Sequence, residues 1–175
     1  IESTQHLLPR LAVLAATLHV AAQEPDALIL VADADHAISD PAAFRAAVAR
    51  GVPAAQAGRI VTFGITPTHP ETGYGWLELA GAAGTEPVPL TRFVEKPDAA
   101  RAEAMLAAGN YLWNAGIFLF SARSMLAAFT AHAPDLLPPV RAALEQARPD
   151  LGFLRLDPGA WSKAASISID YAVME

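Results

Sequence analysis

The sequence lacks cysteine altogether, which excludes disulfide bonds and thiolate metal sites and is typical of a reducing compartment such as the cytoplasm. It also lacks a run of basic residues: 12 basic residues stand against 18 acidic ones, for a formal net charge of −6 at pH 7. Without a basic patch, nucleic acid is not expected as a partner. No stretch has the length and apolar content of a membrane span, and none has the pattern of a signal peptide, so no membrane partner is expected either.

What the chain does contain is enough apolar sequence for a packed core. Its 175 residues are 53% hydrophobic and 17% charged, which argues against disorder and favours a single domain over residues 1–175. The chain begins with Ile1 rather than Met and ends at Glu175, directly after an apolar run. We therefore expect it to be an excerpt of a longer protein.

Apolar runs and turn residues predict alternating strands and helices. The run at residues 27–31 predicts a strand covered on both faces, and Asp40-Pro41 predicts the start of a helix over 41–57. Because another strand follows at 59–65, we expect an α/β fold with a mixed, mostly parallel sheet flanked by helices. Further helices are predicted at 99–108, 122–131 and 136–147, and further strands at 117–120 and 153–156.

Three expectations about single segments follow from their turn residues. The strands at 74–79 and 91–96 should be antiparallel, because the loop between them is too short for a crossover helix. Gly51-Val52-Pro53 should kink the helix that begins at Pro41 or end it early. The aromatic segment 111–116 is expected to be a loop.

The segment 91–97, Thr-Arg-Phe-Val-Glu-Lys-Pro, predicts a strand that ends in an acid and a base. Ligands of open α/β sheets bind at the C-terminal ends of strands. Lys96, one of only two lysines in the chain, could offer its ammonium to a phosphate, while Glu95 accepts hydrogen bonds from hydroxyls. The alternative interpretation is a solvated ion pair at a turn.

Two other groups of polar residues suit ligand binding. Asp35 follows the buried strand at 27–31 and could hold Mg²⁺, with Asp170 as a second carboxylate; the alternative is that both acids cap turns or helices. Gly75, which follows Tyr74, would let the backbone approach a ligand closely, or form a turn. Asn114, close to Gly116, offers an amide to a sugar hydroxyl, or is likewise a turn residue.

Six short segments occur in one order along the chain: Asp35-His36-Ala37-Ile38, Phe63-Gly64-Ile65-Thr66-Pro67-Thr68, Glu71-Thr72-Gly73-Tyr74-Gly75, Phe93-Val94-Glu95-Lys96-Pro97, Tyr111-Leu112-Trp113-Asn114-Ala115-Gly116-Ile117-Phe118 and Ser168-Ile169-Asp170-Tyr171-Ala172-Val173-Met174-Glu175. Together they resemble the successive motifs of bacterial mannose-1-phosphate guanylyltransferases, of the type also found in bifunctional enzymes with a mannose-6-phosphate isomerase. The resemblance runs from about residue 25 to the end of the chain.

This resemblance implies a Rossmann-like nucleotidyltransferase fold and Mg²⁺-dependent transfer of GMP from GTP to mannose 1-phosphate, giving GDP-mannose, a precursor of polysaccharides, and pyrophosphate. It implies that Asp35 and Asp170 hold the Mg²⁺ and that Lys96 binds the sugar's phosphate. The set implied to bind the substrate consists of Tyr74, Gly75, Glu95, Lys96, Asn114 and Gly116. A homodimer is left open, because the residues present do not determine the oligomeric state.

The chain departs from the family in four respects. The glycine-rich N-terminal loop that wraps the triphosphate has no counterpart, and Gln5-His6-Leu7-Leu8-Pro9-Arg10 stands where the family usually has Gly-Arg-Asn-Thr-Ala-Pro. Asp33 replaces a common proline. The β-helical segment and isomerase domain that follow in relatives have no counterpart within these 175 residues. We therefore expect the sugar-phosphate-binding and metal-binding portion of such an enzyme, unable to turn over by itself.

Two other interpretations remain from the residues alone. Asp33-Ala34-Asp35 could be the Asp-x-Asp metal motif of a glycosyltransferase that uses a finished sugar nucleotide. The chain could also be a non-catalytic remnant or regulatory subunit that keeps the fold without the nucleotide loop.

Overall fold

The computed structural model describes residues 8–164, which divide into two compact units. One unit comprises the described residues up to Ala27 and from Ser121 onward, and the other is Leu28–Phe120. A single domain over the whole chain stays a prediction. The helices are α1 (Leu8–Ala21), α2 (Pro41–Gln56), α3 (Ala99–Ala108), α4 (Ala122–His132), α5 (Leu137–Glu145) and α6 (Pro158–Trp161), and the strands are β1 (Leu28–Val31), β2 (Val61–Ile65), β3 (Gly75–Leu79), β4 (Leu90–Glu95), β5 (Tyr111–Ser121), β6 (Arg148–Asp150) and β7 (Phe153–Arg155).

The first unit is helical apart from the β6–β7 hairpin. Helix α1 packs on α4 and α5, and α6 packs on α5. Apolar residues at helical spacing make this possible, and Leu14, Phe129 and Val140 are almost fully buried. Arg123 donates two hydrogen bonds to Asp26, at 2.7 and 3.1 Å, and these lower the pKa of that carboxyl. The ion pair thus joins the segment after α1 to the start of α4.

The second unit contains a five-stranded sheet in which β5 is the most connected strand. The order is β1-β5-β3-β4, and β2 also pairs with β5. The pairs β2–β5, β3–β4 and β3–β5 are antiparallel, so the predicted antiparallel pairing of the strands before and after residues 80–89 is confirmed. A mostly parallel sheet is not confirmed. The order of strand, helix and strand along the chain did not reveal that β1 and β2 would each pair with β5 instead of with each other.

Residues 111–116 begin strand β5, so the prediction of a loop there is wrong. Trp113 is paired with Ile65 on β2 and with Trp76 on β3, which satisfies its backbone from neighbouring strands. Between Thr62 and Gly64 the register shifts: these residues are two apart on β2, but their partners on β5, Phe118 and Asn114, are four apart. This bulge contains Gly116, whose φ of +70° is readily adopted by glycine. The turn-like composition of the segment therefore marks a bulge within a strand.

Helices α2 and α3 complete the second unit. Asp40 caps α2 as predicted, accepting hydrogen bonds from the amides of Ala42 and Ala43, but α2 does not end early and continues through Pro53. Asp98 caps α3, which ends at Gly109 with φ +74°. The inner face of α3 forms a buried cluster with the sheet, consisting of Trp76, Val94, Ala102, Met105 and Trp113. Within the described residues, no helix combines the length and apolar character needed to cross a membrane.

The tight contact at Gly64 gives a stability prediction. A Cβ added there would lie 2.4 Å from Leu112 Cδ1 and 2.7 Å from Leu112 Cβ, whereas one at Gly81 would have no heavy atom within 4 Å. Gly64→Ala should lower the free energy of unfolding by about 1–3 kcal/mol, because the strands must separate to admit the methyl group. Gly81→Ala is the control and should change it by less than about 0.5 kcal/mol. Urea unfolding of both variants provides the measurement, and equal midpoints would contradict the packing described here.

Candidate functional site

Four of the predicted substrate-binding residues come together where β3 begins and β4 ends. Gly75 is the register partner of Glu95, and a Cβ on Gly75 would lie 3.0 Å from Glu95 Oε2 and 2.7 Å from a ring atom of Phe93. Glu95 Oε1 lies 3.5 Å from Lys96 Nζ, and the Lys96 amide donates to the Tyr74 carbonyl at 3.2 Å. An acid and a base therefore lie together beside Gly75, and the side chains of Phe93 and Glu95 pack against the backbone of that glycine.

Lys96 is held in an unusual backbone conformation. Its φ is +41°, in the left-handed region that side-chain-bearing residues rarely adopt, and such strain costs about 1–3 kcal/mol. The side chain is 61% exposed, so its ammonium faces solvent beside the Glu95 carboxylate. Residues strained in this way cluster at ligand sites, where the surrounding structure holds them in place. This feature could not be read from the sequence.

Asn114 is anchored through its side-chain oxygen. That oxygen accepts hydrogen bonds from the Thr62 hydroxyl at 2.9 Å and from the Gly116 amide at 3.2 Å. A ligand hydroxyl would therefore be met by the amide nitrogen, which is a donor. The role of Thr62, 52 residues away in sequence, was missed because nothing in a strand sequence indicates a partner on another strand.

Trp113 connects Asn114 to the residues around Lys96. It is 7% exposed, and its ring meets Tyr74, His69 and Trp76 edge to face, with centroids 5.5, 4.8 and 6.1 Å apart. Among the described residues, its indole nitrogen is buried without a hydrogen-bond partner. Ring packing therefore fixes this side chain, and Asn114 follows it directly in β5.

Glu71 is a further polar residue of this region. Its pKa is lowered chiefly by a hydrogen bond from the Gly73 amide, and next by one from His69. The carboxylate is thus stabilised in its charged form close to Tyr74 and Gly75. The sequence motif contained Glu71 but indicated no role for its side chain or for His69.

The acids after β1 form a second group. One ligand atom from each of Asp33, Asp35 and His36 lies within 4.8 Å of the others, and all three residues are exposed. His36 Nε2 is 3.6 Å from Asp33 Oδ2, and a Cβ on Gly116 would lie 3.5 Å from that same oxygen. Two convergent carboxylates suit Mg²⁺, which prefers one or two of them together with phosphate oxygens. Asp170, the other predicted ligand, lies outside the described residues.

Comparison with known proteins bears on what these groups do. Among curated proteins, the chain is 47% identical to a mannose-1-phosphate guanylyltransferase of Sinorhizobium fredii over 86% of its length. It is 46% identical to the xanthan biosynthesis protein XanB of Xanthomonas campestris and 45% identical to a mannose-1-phosphate guanylyltransferase of Escherichia coli, each over 94%. It spans only 29–35% of the length of these relatives.

Solved structures and a family description agree with this. A mannose-6-phosphate isomerase from Helicobacter pylori matches with a TM-score of 0.83 and 26% identity, covering 99% of this chain and 66% of that one. A mannose-1-phosphate geranyltransferase from Thermus thermophilus matches with a TM-score of 0.78 and 32% identity, covering 95% and 47%. The family described as nucleotidyl transferase matches residues 11–164. The chain thus belongs to the nucleotidyl transferase family, and its fold is that of the nucleotidyltransferases.

Proposed function

We propose that the chain supplies the sugar-phosphate and metal sites of a mannose-1-phosphate guanylyltransferase, which forms GDP-mannose and pyrophosphate from mannose 1-phosphate and GTP. The observation that carries the proposal is the convergence of Tyr74, Gly75, Glu95 and Lys96. It is supported by two curated relatives named for this activity. The proposed location is the cytoplasm, based on the absence of cysteine.

In this proposal, each group has a part in binding mannose 1-phosphate. Lys96 places a compact cation against the phosphate. Glu95 accepts hydrogen bonds from sugar hydroxyls, and the Asn114 amide nitrogen donates one. Gly75 carries no Cβ, so the Glu95 carboxylate and the Phe93 ring can pack directly against the backbone of β3. The ligand would then be oriented with its phosphate oxygen free to attack in line.

Asp35 is the proposed Mg²⁺ ligand, and Asp33 and the predicted Asp170 add carboxylate oxygens. When bound, the ion would neutralise charge on the nucleotide's α-phosphate. Phosphoryl transfer needs mainly alignment and charge neutralisation from the protein. The two groups of side chains described here supply these without an activated nucleophile.

Asp33 beside Asp35 is also what an Asp-x-Asp glycosyltransferase would need. Membership of the nucleotidyl transferase family favours nucleotidyl transfer instead. Product analysis of the whole enzyme that contains these residues separates the two, because hydrolysis or sugar transfer from GDP-mannose would favour the glycosyltransferase. Formation of GDP-mannose would favour the guanylyltransferase.

The ammonium of Lys96 gives the first prediction of this proposal. Lys96→Ala should weaken binding of mannose 1-phosphate about 10- to 100-fold, the effect expected when a hydrogen bond to a charged group is lost. The chain's only other lysine, Lys163, provides the matched control, and Lys163→Ala should bind like the wild type. Calorimetric titration measures both, and equal heats from Lys96→Ala and wild type would remove Lys96 from the site.

The strained backbone of Lys96 predicts that two substitutions at one position will differ in stability. Lys96→Gly should be more stable to urea than Lys96→Ala by about 1 kcal/mol, because glycine adopts a positive φ without a Cβ clash. Both variants lack the ammonium, so both should bind mannose 1-phosphate equally weakly. Equal unfolding midpoints for the two variants would contradict a left-handed conformation at this residue.

Removing one carboxylate tests the metal site. Mn²⁺ can replace Mg²⁺ in this experiment because its binding is measurable by electron paramagnetic resonance. Asp35→Asn should weaken Mn²⁺ binding by about tenfold or more. Asp135→Asn removes an exposed acid from the other compact unit and should leave Mn²⁺ binding unchanged. Identical titration curves for Asp35→Asn and the wild type would exclude Asp35 as a ligand.

A further inference from the structure

The loop between β2 and β3, residues 66–74, contains neither helix nor strand, yet Glu71 ties it together. Glu71 Oε1 accepts a hydrogen bond from the Gly73 amide at 2.8 Å, and Oε2 lies 3.2 Å from His69 Nε2. The Glu71 carbonyl accepts from the indole nitrogen of Trp76 at 2.9 Å. Loops are usually mobile because few contacts offset their conformational entropy. Three contacts through one residue restrict this loop.

His69 is held on three sides. An ionised carboxylate can only accept hydrogen bonds, so His69 Nε2 carries the hydrogen that is donated to Glu71. In the tautomer that carries this single hydrogen, Nδ1 accepts a hydrogen bond from the Thr68 hydroxyl, 3.1 Å away. The ring edge meets Trp113 with centroids 4.8 Å apart, a favoured aromatic geometry. Although His69 is 56% exposed, its orientation is set by both nitrogens and by its ring.

The restricted loop leads directly to the proposed sugar-phosphate site. Gly73, held by Glu71, precedes Tyr74, and the Tyr74 carbonyl accepts from the Lys96 amide at 3.2 Å. That hydrogen bond helps to hold the positive φ of Lys96. A shift of Gly73 would move the Tyr74 carbonyl and weaken its hydrogen bond to the Lys96 amide. Lys96 could then leave its positive φ, which would change the position of its ammonium.

We propose that His69 is a positioning residue for the sugar-phosphate site, acting through Glu71 on the backbone of Gly73 and Tyr74. That mannose 1-phosphate is the ligand of this site rests on the function proposed above, whereas the action of His69 on the loop does not. His69 itself makes no contact with the reacting groups. It keeps the Glu71 carboxylate in place, and Glu71 keeps the loop in the conformation that supports Lys96.

Three variants test this proposal. His69→Ala removes the donor to Glu71, His69→Gln keeps an amide donor, and His132→Ala removes an exposed histidine from helix α4 of the other unit. Amide hydrogen exchange without ligand should show the Gly73 and Lys96 amides exchanging about three to ten times faster in His69→Ala. The dissociation constant of mannose 1-phosphate, from calorimetry, should rise by a similar factor. His69→Gln should recover most of both effects, and His132→Ala should show neither.

Unchanged exchange and unchanged affinity in His69→Ala would overturn the proposal and leave the proposed function standing. So would equal losses in His69→Gln and His69→Ala, because a donor to Glu71 would then not be what matters. Faster exchange in His69→Ala, together with no binding of mannose 1-phosphate by the wild type, would support the action of His69 on the loop. That outcome would contradict the proposed substrate and leave the role of His69 in the loop standing.

Discussion

The backbone pairing of β5 with two neighbouring strands is the constraint on which the rest of the site depends. At Trp113 the strand pairs with β2 along one edge and with β3 along the other. This pairing places Asn114 opposite Gly64, which brings the Thr62 hydroxyl to its side-chain oxygen. It also brings the Trp113 ring against Tyr74 and His69. The polar groups are thus organised by a ladder of backbone hydrogen bonds and not by their own attraction.

Close approach and local strain accompany this arrangement. At Gly75 the backbone comes so near Phe93 and Glu95 that a methyl group would overlap both, and at Lys96 the chain adopts a positive φ. Both are understandable if the structure is shaped to hold the Lys96 cation and the Glu95 carboxylate in place, because a preorganised site does not have to be ordered when the ligand binds.

All described site residues lie within the second compact unit, Leu28–Phe120. The acids after β1 and the polar residues of β5 meet through Asp33 and Gly116, and the loop before β3 meets β5 through Trp113. The two solved structures that share this fold are named for different reactions.

Much of the local structure followed from the sequence, because its causes are local. The caps at Asp40 and Asp98, the end of α3 at Gly109 and the antiparallel pair β3–β4 need only neighbouring residues or a short loop. The motifs likewise predicted the residue types of the candidate site. The strand at 111–116 was missed, since its Asn-Ala-Gly segment resembles a turn and becomes a bulge only opposite β2. The prediction of a mostly parallel sheet was not confirmed for a similar reason, because chain order does not fix which strands become neighbours.

The sequence by itself therefore determined the class of the fold, the family and the identity of most candidate binding residues, including the pair Glu95 and Lys96. Only the tertiary structure decided that Thr62 orients Asn114, that Asp33 joins Asp35, and that His69 reaches Lys96 through Glu71 and the Tyr74 carbonyl. These depend on backbone angles and on contacts between distant segments. A motif records which residues are present, whereas the paired strands set the distances and angles between them.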